Sequence, residues 1–171
     1  MLSEQGDRAA ALATIEEAVR MYRGLVERSL DAFEPDLAGS LNNWSSCLSD
    51  VERFDDALRA GQQSVELYRR LARQEPQAFQ ANFVASLDTL ARCQNQLNQI
   101  TQAIETIQEA MELGVLLLKE SAQTHTELVQ GLRSLYLNLC EQNQIAPDAA
   151  LLAAVDELLP RPDEENMSDG N

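Results

Sequence analysis

The chain has 171 residues and a formal net charge of -15, which argues against nucleic acid as a partner because phosphate binding needs a clustered lysine and arginine face. No apolar run approaches the roughly 20 residues that cross a bilayer. The first residues also lack the basic and apolar segments of a secretory signal. We therefore expect a cytoplasmic protein with no membrane partner.

The composition favours helices. Alanine, leucine, glutamine and glutamate are abundant, aromatic residues make up 5%, and there are only seven glycines and five prolines. Apolar residues recur at helical spacing in chain order and predict seven helices, at 7–29, 35–50, 55–74, 78–97, 101–121, 124–143 and 147–159.

The boundaries of these helices are predicted from their flanking residues. Asp55 and Thr101 are the expected N-caps of two helices, and Pro35, Pro76 and Pro147 fall near helix starts. Beyond the last helix, residues 160–171 are acidic and polar, so we expect a disordered tail there.

An internal repeat appears when the chain is shifted along itself by 46 residues. The segment that begins at Phe33 then lies over the segment that begins at Phe79, and the match extends into four copies. The fourth copy needs a one-residue deletion and a compensating insertion, which places Ala150 under Ala103. Among the paired positions are Cys47 with Cys93, Ala57 with Ala103, Leu67 with Leu113, Ala11 with Ala57, and Tyr22 with Tyr68.

Each copy reads as two helices with a small residue where they cross. Ala11, Ala57 and Ala103 recur at this position, and a large apolar residue followed by Ser or Ala (Trp44-Ser45, Leu90-Ala91) occurs in the preceding helix. This pattern resembles the tetratricopeptide repeat, and the 46-residue length resembles the long repeats of kinesin light chains and of bacterial and fungal signalling arrays. HEAT repeats have a similar period and are the structural alternative.

The resemblance implies a right-handed α-solenoid of antiparallel helix pairs over residues 1–159, with a partner protein or peptide bound in its concave groove. It implies a regulatory or scaffolding arm of a larger assembly. Asn43 matches the family's groove asparagine, while only Arg92 and Arg133 match its carboxylate-binding cations, so an acidic ligand and a basic one both remain open. The implied groove residues are Asn42, Asn43, Ser46, Asp88, Thr89, Arg92, Gln130, Arg133 and Ser134.

The first copy is expected to be truncated, because Leu2-Ser3 matches only the last turn of a first helix. The helix over 7–29 then carries an apolar stripe without a partner from its own repeat. Self-association through Leu12, Ile15 and Val19, giving a homodimer, is therefore the alternative to a peptide-binding role.

No residue pattern predicts an enzyme, a cofactor or a metal. Equivalent positions on neighbouring repeats, such as Cys47 and Cys93, are too far apart for a disulfide and poorly placed for zinc, so we expect buried, reduced thiols. His125, the only histidine, has no nucleophile partner in a recognisable motif and is expected in a solvated loop.

Overall fold

The computed structural model describes residues 2–28 and 30–159, and the predicted tail at 160–171 lies outside them. Within these ranges there is no strand, so the all-α prediction is confirmed. The helices pack mainly against their neighbours in sequence order. They are α1 (Leu2–Val26), α2 (Leu30–Asp50), α3 (Phe54–Gln74), α4 (Pro76–Gln96), α5 (Ile100–Gln142) and α6 (Ala149–Asp156).

Helix α5 contains a break that gives it the two segments expected from the sequence. Ser121 has φ -158° and ψ 94°, which is extended backbone inside an otherwise helical stretch. The segments on either side fold back on each other, since the Gln108 side chain donates to the Tyr136 hydroxyl at 3.2 Å. A Cβ placed on Gly114 would lie 3.0 Å from Val129, so the two segments approach closely at this glycine. Counting both segments, the described chain has seven helical rods.

A turn of the same geometry recurs every 46 residues in the last three copies. Glu52, Asn98 and Gln144 are the described non-glycine residues with positive φ, at 61°, 58° and 55°. The residue after each of them donates its amide to the carbonyl five residues before it, in the pairs Arg53–Leu48, Gln99–Gln94 and Ile145–Cys140, at 2.9, 2.8 and 2.9 Å. The periodicity found in the sequence is therefore also a periodicity of the backbone.

Burial follows the same period in the two central copies. Ala57 and Ala103 are both 0% exposed, which confirms the prediction that they are buried. The first helices of these copies agree in the same way. Their equivalent buried pairs include Leu37 with Phe83, Ala38 with Val84, Ser40 with Ser86, Leu41 with Leu87, and Ser45 with Ala91.

Several predicted boundaries are wrong. Asp55 and Thr101 lie inside the first turns of α3 and α5, where the capping positions belong to Arg53 and Gln99. Pro76 is the first residue of α4 and Pro147 directly precedes the cap of α6, as predicted, whereas Pro35 lies within α2. The turn geometry fixes these helix starts, and neither cap makes a side-chain hydrogen bond to the helix.

The two ends of the chain also differ from the prediction. Residues Leu2 and Ser3 belong to a continuous α1 and not to a separate preceding helix. Helix α6 starts after Asp148, whose carboxylate accepts from the amides of Ala150 and Leu151 at 2.9 and 3.0 Å. Ala150 is exposed, whereas Ala103, over which it lies in the sequence repeat, is 0% exposed. No helix within the described ranges is both long and apolar enough to cross a membrane.

Candidate functional site

Helices α2 and α4 run side by side in the same direction, because each is joined through the antiparallel helix α3. Polar contacts hold their C-terminal halves together. The Ser49 hydroxyl donates to Gln96 Oε1 at 3.0 Å. Cys93 Sγ lies 3.3 Å from Ser45 Oγ and 3.5 Å from Ser49 Oγ. The two helices are thus fixed in register by side chains, and not only by apolar packing.

An open cleft of about 260 Å³ lies between these helix halves. We name it the α2–α4 cleft. Four of the nine groove residues predicted from the sequence line it, so the structure brings nearly half of that set together. The lining consists of Ser46, Ser49, Asp50, Asp88, Thr89, Arg92, Cys93 and Gln96.

One ion pair crosses a single helical turn at the edge of the cleft. The Arg92 Nε donates to Asp88 Oδ2 at 2.9 Å. The other carboxylate oxygen of Asp88 is buried and has no hydrogen-bond partner within the structure. An ionised oxygen without a donor is costly, so Asp88 retains unused capacity to accept a hydrogen bond.

The other two groove residues predicted on α2, Asn42 and Asn43, do not line the cleft. Asn43 is exposed, and Asn42 is half-buried with a side-chain oxygen that lacks a hydrogen-bond partner. Both lie on α2 about one turn before Ser46, the first cleft residue of that helix.

The predicted groove residues on α5 do not join the cleft. Arg133 instead binds Asp156 of α6, with Nε and Nη2 donating to its two carboxylate oxygens at 2.6 and 3.2 Å. Ser134 donates to the backbone oxygen of Gln130 within its own helix. The two candidate cations for an acidic ligand, Arg92 and Arg133, are therefore both engaged with carboxylates.

Sequence reasoning missed four lining residues: Ser49, Asp50, Cys93 and Gln96. Helical spacing carries the signal that identifies them. Residues three and four positions apart share a helix face, so Ser46 leads to Ser49 and Asp50, just as Arg92 leads to Gln96.

The cysteines are free thiols, with Cys93 and Cys140 buried and Cys47 only half-buried, contrary to its predicted burial. Burial, and then the nearby carboxylate of Asp50, raise the pKa of Cys47 above its ordinary value. Within the described ranges no three His, Cys, Asp or Glu side chains are grouped as metal ligands. His125 is half-buried within α5 and does not lie in a loop.

The predicted self-association residues are largely occupied within the chain. Val19 is 2% exposed and packs with Leu37 and Leu41. Leu12 packs against the cluster that contains Leu48 and Ala57, and Ile15 is half-buried. The exposed side of α1 is formed by other residues, including Ala11, Thr14 and Met21.

Comparison with known proteins gives no family assignment. Neither the models of known protein families nor the curated proteins include a match to this sequence.

Proposed function

We propose that this chain is a protein-interaction module whose α2–α4 cleft binds a segment of a partner protein. The single observation that carries the proposal is the convergence of Ser46, Asp88, Thr89 and Arg92 on one cleft between parallel helices. A parallel pair of helices with exposed polar side chains presents donors and acceptors in a row, which suits an extended peptide or a helix laid across it.

The architecture that we propose with this function is a tetratricopeptide-like right-handed solenoid, in which the first helices of successive copies would line one concave face. The turns recurring at Glu52, Asn98 and Gln144 and the side-by-side packing of α2 and α4 support this arrangement. In it, the chain acts as a regulatory or scaffolding arm of a larger assembly, and catalysis takes place elsewhere.

A blocking variant tests the binding role. Ser46 is exposed on the cleft wall, so Ser46→Trp fills the cleft without disturbing the core. The matched control is Gln62→Trp, which places the same bulk on the exposed side of α3. Tagged chains are expressed in the source cells, and the proteins that co-purify are quantified. We expect a partner that the unaltered chain and Gln62→Trp retain and that Ser46→Trp loses. Equal retention by all three contradicts a role for the cleft.

Self-association through α1 is the second candidate function, and one observation favours it. Ala11 is exposed, while its repeat equivalents Ala57 and Ala103 are 0% exposed. Because Val19 is buried within the chain, the contact would use the exposed side with Ala11 and Met21. Sedimentation equilibrium distinguishes the two candidates: a concentration-dependent dimer that Ala11→Glu abolishes supports self-association, and a monomer at all concentrations rejects it.

A further inference from the structure

The α2–α4 cleft lies at the C-terminal ends of both helices that form it. Helix α2 ends at Asp50 and α4 ends at Gln96, and both residues line the cleft. The aligned peptide dipoles of a helix give its C-terminus a partial negative charge of about half an electron. Two such ends side by side produce a negative potential at the same place.

Neither helix neutralises its own C-terminal end. The last turns of α2 and α4 contain no basic residue, whereas those of α1 and α3 contain Arg23 and Arg73. A carboxylate, Asp50, is instead the last residue of α2, where the helix dipole disfavours a negative charge. This arrangement leaves room for a cation supplied from outside the chain.

The arginines near the cleft offset only part of this negative charge. Arg92 is held by Asp88, as described above. Arg8 of α1 reaches the backbone oxygen of Asp50 at 3.5 Å, in a separate pocket that Asp88 does not line. Within the described residues the carboxylate of Asp50 forms no salt bridge. With two carboxylates and one arginine, the lining carries an excess negative charge.

We infer that the cleft receives an arginine or lysine side chain from a basic segment of the partner protein. This inference rests on the proposed function and specifies the chemistry of the bound segment. The cationic group meets the two carboxylates that line the cleft, those of Asp50 and Asp88, and one oxygen of Asp88 has no hydrogen-bond partner within the structure. The oxygens of Ser46 and Thr89 accept further N–H groups, of which a guanidinium carries five.

The charge of the whole chain acts in the same direction. A net charge of -15 attracts a basic segment at long range and repels an acidic one, so that encounter with the former is faster. Among the predicted groove residues, the two arginines that could bind an acidic ligand are Arg92 and Arg133. Both are paired with carboxylates of the chain itself.

Peptide titration followed by nuclear magnetic resonance tests this inference with the full chain. The probes are three blocked peptides of equal length: one contains an Arg-Ala-Arg centre, one has citrulline in place of arginine, and one has glutamate. We expect the arginine peptide to shift the amide signals of Ser46, Ser49, Thr89 and Arg92. The affinity of the citrulline peptide should be lower by about tenfold or more, as expected when close charge pairs are lost. The glutamate peptide should leave these signals unchanged.

Two variants with the same change of net charge separate a specific site from general attraction. The variant D50N/D88N removes both carboxylates of the cleft, and D36N/D55N removes two exposed carboxylates elsewhere. We expect an affinity loss of about tenfold only for D50N/D88N. The single variant Asp50→Asn, at an exposed helix end, keeps the test valid if the double variant is unstable.

The outcomes also separate this inference from the proposed function. Preferential binding of the glutamate or citrulline peptide at the same amides overturns the basic-segment inference and leaves the cleft as a binding site. Equal losses in D50N/D88N and D36N/D55N overturn it as well, because the attraction is then not localised. If all three peptides leave the cleft amides unshifted while the partner retained by Gln62→Trp remains sensitive to Ser46→Trp, the cleft binds protein without selecting a basic segment.

Discussion

Glu52 and Asn98 occupy the same position of successive turns: they lie 46 residues apart and have φ values of 61° and 58°. Left-handed backbone costs an ordinary L-residue roughly 1–2 kcal/mol, while asparagine and glycine adopt it more readily. The same conformation is therefore more costly at Glu52 than at Asn98.

Replacement of Glu52 by glycine is expected to stabilise the protein. Relief of the left-handed conformation outweighs the greater chain entropy of glycine, so we expect the free energy of unfolding to rise by about 0.5–1 kcal/mol. Asn98→Gly is the matched control and should change stability by less. Urea unfolding of both variants measures the difference. A larger gain for Asn98→Gly than for Glu52→Gly would contradict the explanation.

The crossing alanines predict a second stability effect. Ala57 and Ala103 have no exposed surface, so leucine at either position overpacks the crossing and should cost about 1–3 kcal/mol. The equivalent residue of α1, Ala11, is exposed, and Ala11→Leu should leave the free energy of unfolding nearly unchanged. Thermal and urea unfolding of the three variants provide the comparison. A loss at Ala11 as large as at Ala57 would show that α1 is covered in solution.

Two glycines of α5 should respond oppositely to alanine. Gly131 has open space around it, and a helical alanine there should stabilise by up to about 1 kcal/mol. Gly114 lies against Val129, where a Cβ would come within 3.0 Å, so Gly114→Ala should gain less or should destabilise. Equal stabilisation by both substitutions would mean that the two segments of α5 do not pack closely at this glycine.

The pKa of Cys47 gives a prediction about pH. Burial and the carboxylate of Asp50 both raise this pKa, so the thiolate forms only at higher pH than in an ordinary cysteine. Asp50→Asn removes the second cause and should lower the pH at which alkylation of Cys47 reaches half its maximal rate. Iodoacetamide labelling resolved by mass spectrometry, from about pH 7 to 10, measures the shift.

Cys140 is the internal control for that measurement. Burial also raises the pKa of Cys140, while a hydrogen bond with Tyr136 lowers it, and Asp50 contributes to neither effect. Its labelling profile should be the same in the parent and in Asp50→Asn. An unchanged Cys47 profile in Asp50→Asn would contradict the placement of that carboxylate beside the thiol.

Much of the fold can be predicted from the sequence, because apolar residues at helical spacing identify each helix and the face that it buries. The repeated burial of Ala57 and Ala103 follows directly from their shared position in the copies. Helix starts were less predictable. Residue preferences favour Asp55 and Thr101 as caps, yet the left-handed turns at Glu52 and Asn98 start the helices two residues earlier.

The candidate site was predictable where the repeat is regular. Asn42 and Asp88 occupy the same position of successive repeats, 46 residues apart. Asp88 and its neighbours Thr89 and Arg92 line the cleft. Their counterpart on α5, Arg133, lies one residue out of this period. Arg133 binds Asp156 of α6. The repeat pattern does not predict this contact, because the start of α6 depends on its own capping residue, Asp148.

Site-specific photo-crosslinking tests the central claim, that a partner protein occupies the α2–α4 cleft, most directly. Benzoylphenylalanine is placed singly at Ser46, at Thr89 and, as a control, at Gln62 on the exposed side of α3. Illumination in the source cells should give the same covalent adduct at Ser46 and Thr89 and none at Gln62. Adducts at Gln62 alone, or different adducts of equal yield at all three positions, would contradict the claim.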